Sequence, residues 1–179
     1  YTPRDIVSFI CKESLREYLY EKVGNSTFNQ GIDFLIDYSD AEFLARKSTS
    51  GADLWGVNSK SVTKKIVEAV DNYKVIDPAC GSGAFPMGML QLLLRTYERL
   101  LKSFDPYAIK LSIIENSIFG VDIEPMAIEI SRLRAWLSVI IDEPDKQNIQ
   151  PLPNLDFKFV CANSLTSLSK GDDALFDDQ

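Results

Sequence analysis

Apolar positions recur along the chain with two different periods. Val7, Ile10, Cys11, Leu15, Tyr18 and Leu19 step by three or four residues and predict one buried stripe on a helix running to about Lys22. Thr2 is placed to cap that helix, Pro3 to fill its first position and Asp5 to add favourable charge to its first turn. Gly24 to Ser61 is less regular: short apolar pieces are separated by Asn-Ser-Thr, Gly31 and a Ser-Thr-Ser-Gly run. A short helix is expected over Asp40 to Lys47, and Trp55 is expected to be a packing anchor. Ser61 is placed to cap a helix to about Asn72, with Val62, Ile66, Val67 and Val70 facing inward. The pattern then changes. Val75 and Ile76 begin a buried parallel strand, which Asp77-Pro78 ends. Ala84 to about Leu101 is a helix rich in Leu and Met, with Pro86 tolerated in its first turn. Asp105-Pro106 starts a short helix ending near Asn116, and Ser117 to Ile123 reads as a second strand. Glu124-Pro125 opens a helix to about Ile141. Lys146 to Asn154 is a Pro-containing loop, and Asp156 to Cys161 a third strand. The expected architecture is α/β, with three parallel strands following a helical segment.

Lys74 to Met89 is the stretch on which function turns, because there strand gives way to tight turn and then to helix. Pro78 lacks an N–H, and Gly81 and Gly83 can take positive φ, so the chain can bend sharply and bring bare backbone against a ligand. Gly83 is the position expected to let the helix N-terminus approach that ligand. Backbone N–H groups, a turn without bulky side chains and a carboxylate at the strand end form a nucleotide-type binding edge. Two glycines alone would also serve a plain strand-to-helix connection. A dinucleotide site wants Gly-x-Gly-x-x-Gly, whereas the next glycine here is Gly88. In that fold the ribose-binding acid follows the glycines by about 20 residues; Asp122 lies 41 positions beyond Gly81, and the extra helix accounts for the difference. At the tip of the second strand, Asp122 can accept both ribose hydroxyls or cap the following helix. Ile123 can pack on an adenine face or fill core. Asn163, followed by Ser164, can meet the adenine edge or simply form a turn.

Composition narrows the choices. The 179 residues suffice for one sizeable core, and no apolar run approaches the ~20 residues of a membrane span. Neither does a secretory signal open the chain. Three cysteines with no close pairing fit a reducing cytoplasm. The absence of histidine removes histidine-based triads, and without clustered cysteines a zinc site is set aside too. A net charge of -7 and a pI near 4.7, with no cluster of Lys and Arg, oppose direct phosphate neutralisation.

Asp-Pro-Ala-Cys-Gly-Ser-Gly-Ala-Phe, from Asp77 to Phe85, resembles motif I of the amino-group DNA methyltransferases that use S-adenosyl-L-methionine. A carboxylate near the turn suits the ammonium and sulfonium of that cofactor and would repel a pyrophosphate. Tyr1-Thr2-Pro3 with its helix resembles motif X, which contacts the methionine end. Gly-Val-Asp-Ile-Glu-Pro resembles motif II, in which the acid binds ribose and the next residue packs on adenine. Its helix contains Arg132, Arg134 and Trp136, as family helices here often do, and Asn163 resembles motif III. The resemblance implies an incomplete Rossmann-like methyltransferase fold, with residues 1–73 as a helical segment and 74–179 as the first half of the cofactor-binding domain. The cofactor residues it implies are Tyr1, Thr2, Pro3, Asp77, Pro78, Ala79, Cys80, Gly81, Gly83, Phe85, Asp122, Ile123, Asn163 and Ser164, with no metal.

Among such enzymes the chain is most like the methyltransferase region of type IIG restriction-modification polypeptides, which methylate N6 of adenine in double-stranded DNA. Their base-holding tetrad, of the type Asn-Pro-Pro-Tyr, occurs nowhere here. Phe176-Asp177-Asp178 is compatible with the lead-in to it. The chain is therefore expected to be a cytoplasmic fragment that binds cofactor, with catalytic residues beyond Gln179 and DNA held by segments it lacks. Two other classes stay open: a methyltransferase acting on a protein glutamine amide or RNA, and a non-catalytic nucleotide-binding module.

Overall fold

The computed structural model describes residues 2–50, 59–101, 103–143 and 154–166, with backbone only for 46–50 and 59. Tyr1, Trp55, most of the loop expected from Lys146 and the acidic end containing Phe176 lie outside these residues. Seven α-helices are described: α1 (Arg4–Val23), α2 (Asn29–Asp37), α3 (Asp40–Ser50), α4 (Ser59–Asp71), α5 (Ala84–Leu100), α6 (Pro106–Asn116) and α7 (Pro125–Ile140). The strands are β1 (Val75–Asp77), β2 (Ile118–Asp122) and β3 (Phe159–Cys161). All pair in parallel, in the order β1-β2-β3. Helices α5 and α6 cross from β1 to β2, and α7 crosses from β2 to β3. No helix among the described residues is long and apolar enough to cross a membrane.

The helical periods expected from sequence hold, because each follows from a locally complete stripe of apolar residues. In α1, Val7, Cys11, Leu15, Leu19 and Val23 are buried, and Gly24 closes the helix with a left-handed φ of 65°. Its start differs from the expectation. Pro3 has extended backbone and occupies the cap position itself, its carbonyl accepting from the Val7 N–H at 3.1 Å, and no side chain caps the helix. Thr2 therefore sits one residue too early to cap. Ile10, expected within the buried stripe, is 46% exposed.

Ser61 is not a cap either, since α4 begins at Ser59 with no Gly or Pro to stop it. Within α4, Val62, Ile66 and Val70 are buried as expected, and Val67 is half-buried. Between these helices the described residues of the irregular stretch are largely helical. It includes a reciprocal capping box at the start of α3: the Glu42 N–H donates to Ser39 Oγ at 3.3 Å, and the Ser39 N–H to Glu42 Oε2 at 2.9 Å.

The sheet departs from the expectation in two places. β3 starts at Phe159, because Asn154 Oδ1 accepts from the Asp156 N–H and the buried Leu155 carbonyl accepts from Lys158 and Phe159 N–H groups, forming a turn in place of an extended run. Among the described residues, β1 is covered on one face only. Alternation and register put Val75, Asp77, Ile118, Gly120, Asp122 and Phe159 on the helix-covered face and Ile76, Phe119, Val121 and Val160 on the other. Ile76 is accordingly 62% exposed.

Close contact between α1 and α5 depends on Gly88. A Cβ there would lie 2.5 Å from Val7 Cγ1 and 3.3 Å from Cys11 Sγ, and Val7 has little rotamer freedom with which to yield. Gly88→Leu should therefore destabilise the chain by about 1–3 kcal/mol, despite leucine's better helix propensity. Urea unfolding measures the difference; a variant at least as stable as the wild type would show that α1 can move away without loss.

Candidate functional site

Because the three strands are parallel, their carboxyl ends share one edge. Asp122 lies opposite Cys161 there, and Asp77 opposite Gly120 two residues earlier on β2. The turn at 78–83, Asp122-Ile123 and Asn163-Ser164 thus gather at the edge where open α/β sheets hold ligands. Gly81 and Gly83 both have positive φ, 53° and 84°, the conformation expected from sequence.

Asp122 ties the edge together. Its Oδ2 accepts from the Gly81 N–H at 2.7 Å and its Oδ1 from the Glu124 N–H at 2.9 Å, while the Cys80 N–H donates to the Val121 carbonyl at 2.9 Å. The cap of α7 is Glu124, whose side chain accepts from the Met126 N–H. Asp122 therefore pins the glycine turn to the strand tip. The Glu124 and Gly81 N–H groups hold its pKa below the ordinary aspartate value. A carboxylate has about four acceptor positions, so two protein donors leave capacity for a ligand.

The two glycines play different parts. A Cβ on Gly81 would meet nothing within 4 Å, whereas one on Gly83 would come within 2.9 Å of Ser131 Oγ on α7. Close approach at Gly83 is to α7, a second reason for glycine there that the sequence did not point to. The open backbone is at Gly81. Cys80 is buried beneath the turn, and Gly120 is small enough to admit its sulfur. Burial, with the charges of Asp77 and Asp122 adding to it, pushes the Cys80 thiol up to about 11.

Beside the turn lies a cavity of about 300 Å³. That is the lower end of the range of small-molecule sites. It lies between α1 (Ile10, Cys11, Ser14), the β1 end through Pro78, and the start of α5 (Phe85, Pro86, Met89). Asp77 lines it. The Asp77 Oδ1 accepts from the Ala79 N–H at 3.1 Å, but its Oδ2 is buried with no hydrogen-bond partner among the described residues. Burial raises the Asp77 pKa, the Ala79 N–H opposes this, and the charge of Asp122 raises it further. An orphaned, partly desolvated carboxyl oxygen calls for a hydrogen-bond donor, which an ammonium supplies and an ionised phosphate does not.

Thr2 and Pro3 do not line this cavity; α1 reaches it about two to three turns later. Ile123 is 70% exposed immediately after Asp122. Asn163 forms a turn, its Oδ1 accepting from the Leu165 N–H at 3.0 Å, with Ser164 exposed beside it. Sequence reasoning missed Ser131, which donates to the Gly81 carbonyl at 2.9 Å, and gave Arg134 no role, although it donates to the Ser82 carbonyl at 2.6 Å. A signal existed: Ser131 is the polar member of a buried stripe with Ile128, Ala135 and Val139.

Asp77 supplies a pH test. Its raised pKa means that the fold disfavours the ionised form, so stability falls as pH rises from about 4, the ordinary aspartate value, to the raised value and stays lower above it. Asp77→Asn should therefore melt above the wild type at pH 7, and the gap should close below about pH 4. A variant melting at or below wild type at neutral pH would mean that the carboxylate is satisfied in the free protein.

No protein-family model matches the chain. It is 33% identical over 172 residues to a Methanocaldococcus jannaschii protein named "Putative type II restriction enzyme and methyltransferase RM.MjaORFECS2P", which covers 92% of the chain and 14% of that relative. It is also 25% identical over 131 residues to the adenine-specific methyltransferase BrxX of Escherichia coli O9:H4, covering 73% of the chain and 10% of that protein. The chain thus spans a small fraction of the length of either relative. Over most of its length, it is homologous to a segment of adenine-specific and restriction-associated methyltransferases.

Proposed function

We propose that this chain is the cofactor-binding part of a DNA methyltransferase that transfers a methyl group from S-adenosyl-L-methionine to N6 of adenine, within a restriction-modification polypeptide of the type IIG kind. The observation that carries the reading is the Asp122 carboxylate, fixed at the strand tip against the glycine turn with acceptor capacity to spare. When bound, the cofactor would supply an electrophilic methyl group on its sulfonium. In this reading Asp122 accepts from the ribose hydroxyls, and Ile123 offers its exposed side chain to the adenine. Asn163 and Ser164 border the adenine edge. Pro78, Ala79, Cys80, Gly81, Gly83 and Phe85 shape the turn and the first turn of α5, and the orphaned Asp77 oxygen meets the ammonium. Tyr1, Thr2 and Pro3 are assigned to the methionine end by resemblance alone.

The proposed fold is an incomplete Rossmann-like methyltransferase domain, residues 74–179, preceded by a helical segment, 1–73. Parallel sheets are normally covered on both faces. The open face at Ile76 and Val160, and a β1 that pairs only with β2 among the described residues, support its incompleteness. With a net charge of -7, the chain offers little for phosphates, so duplex DNA is assigned to other segments of the longer polypeptide.

Calorimetric titration with S-adenosylhomocysteine tests the assignment. Asp122→Ala removes charge-assisted hydrogen bonds worth about 1.5–3 kcal/mol, or roughly 10- to 150-fold in affinity. Asp122→Asn, which keeps one acceptor oxygen, should lose less. Unchanged affinity in the folded Ala variant would overturn the ribose assignment.

A further inference from the structure

The turn between β1 and α5 is gripped from α7 by two side chains one helical turn apart. Ser131, fully buried, donates to the Gly81 carbonyl at 2.9 Å, and Arg134 Nη1 donates to the Ser82 carbonyl at 2.6 Å. From the strand side, Asp122 takes the Gly81 N–H. The remaining N–H groups of the turn are also engaged: Ala79 to Asp77 Oδ1, Cys80 to the Val121 carbonyl, and Gly83 to the Cys80 carbonyl at 2.8 Å. Ser82 is the exception, for its N–H has no partner among the described residues, and the residue is exposed. Its direction follows from peptide geometry. In a trans peptide the C=O and N–H point opposite ways, so drawing the Gly81 carbonyl onto Ser131 aims the Ser82 N–H away from α7.

We propose that Ser131 and Arg134 are positioning residues for the cofactor: by fixing the carbonyls on either side of Ser82, they present its free N–H to an acceptor oxygen of the ligand. The inference rests on the S-adenosyl-L-methionine reading of the site. It assigns α7 a task beyond packing. The donor is fixed before the ligand arrives, so little ordering is lost on binding. The carboxylate of the ligand's amino-acid end is an acceptor of the right chemistry, complementary to an ammonium held by Asp77.

Arg134 is exposed and can be altered without opening the core. Arg134→Met should weaken S-adenosylhomocysteine binding by about 10-fold, the size expected for losing control of one hydrogen bond to a charged group, with little change in melting temperature. Arg134→Lys, which can still donate to the Ser82 carbonyl, should restore most of the affinity. Ser131→Ala should weaken binding similarly and also lower the melting temperature, because it leaves the part-buried Gly81 carbonyl with only the weak Cys80 thiol donor. In the ligand-free chain, both weakening variants should speed amide hydrogen exchange at Gly81 and Gly83 while leaving Met89 to Leu93 unchanged. Unaltered affinity in folded Arg134→Met and Ser131→Ala would overturn the proposal, as would unaltered exchange at the turn. A wild-type chain that binds no adenosyl ligand would overturn both the cofactor reading and the positioning role. In that event the exchange measurement still reports whether the grip on the turn exists, which keeps the two failures apart.

Discussion

The hydrogen bond from the Gly81 N–H to Asp122 Oδ2, 2.7 Å long and spanning 41 residues, ties the turn that follows β1 to the tip of the neighbouring strand β2. Around it the Cys80 N–H meets the Val121 carbonyl, and the Cys80 sulfur fills the space above Gly120. These contacts fix where the positive-φ turn sits relative to the tip of β2. A polar ligand edge needs such fixing, because hydrogen-bond donors misplaced by an ångström no longer act together.

The two carboxylates of the edge have been driven in opposite directions by their surroundings. Asp122 receives two backbone N–H groups and stays ionised readily, whereas Asp77 is partly desolvated, satisfied at one oxygen only among the described residues, and sits within range of the charge of Asp122. Leaving a buried carboxylate oxygen without a donor costs stability in the free chain. Such a cost is tolerated at binding sites, where the missing partner arrives with the ligand. The proposed adenosyl cofactor, which carries positive charge at its amino-acid end, is an economical match for that defect.

Helix α7 links this edge to the rest of the fold. Its buried stripe packs beneath the sheet, and from the same turns Ser131 and Arg134 reach the glycine turn. Arg132, between them, donates two hydrogen bonds to the Phe159 carbonyl and so holds β3. Gly83 is glycine partly for the sake of this helix, since any side chain there would press on Ser131. The helix that follows the ribose-type acid is therefore part of the apparatus that shapes the turn.

The sequence by itself determined what is local. Helical stripes such as Val7, Cys11, Leu15 and Leu19, the Asp105-Pro106 and Glu124-Pro125 helix starts, and the positive-φ glycines all follow from neighbouring residues. The motif order around Asp77 and Asp122 was legible too, and the similarity to methyltransferase segments agrees with it. Errors arose where local preference is nearly balanced: Thr2 and Ser61 were plausible caps one or two residues from the true helix starts, and Asp156 to Lys158 alternates like a strand but is bent by Asn154 and Leu155. Only the tertiary structure decided which glycine faces open space, that the Asp77 Oδ2 has no partner among the described residues, that Ile10, Cys11 and Ser14 reach the cavity, and that Ser131 and Arg134 grip the turn. These depend on groups about 40 to 70 residues apart being brought within hydrogen-bonding or van der Waals distance. No local propensity encodes such distances, because they are fixed by how the helices and strands pack together.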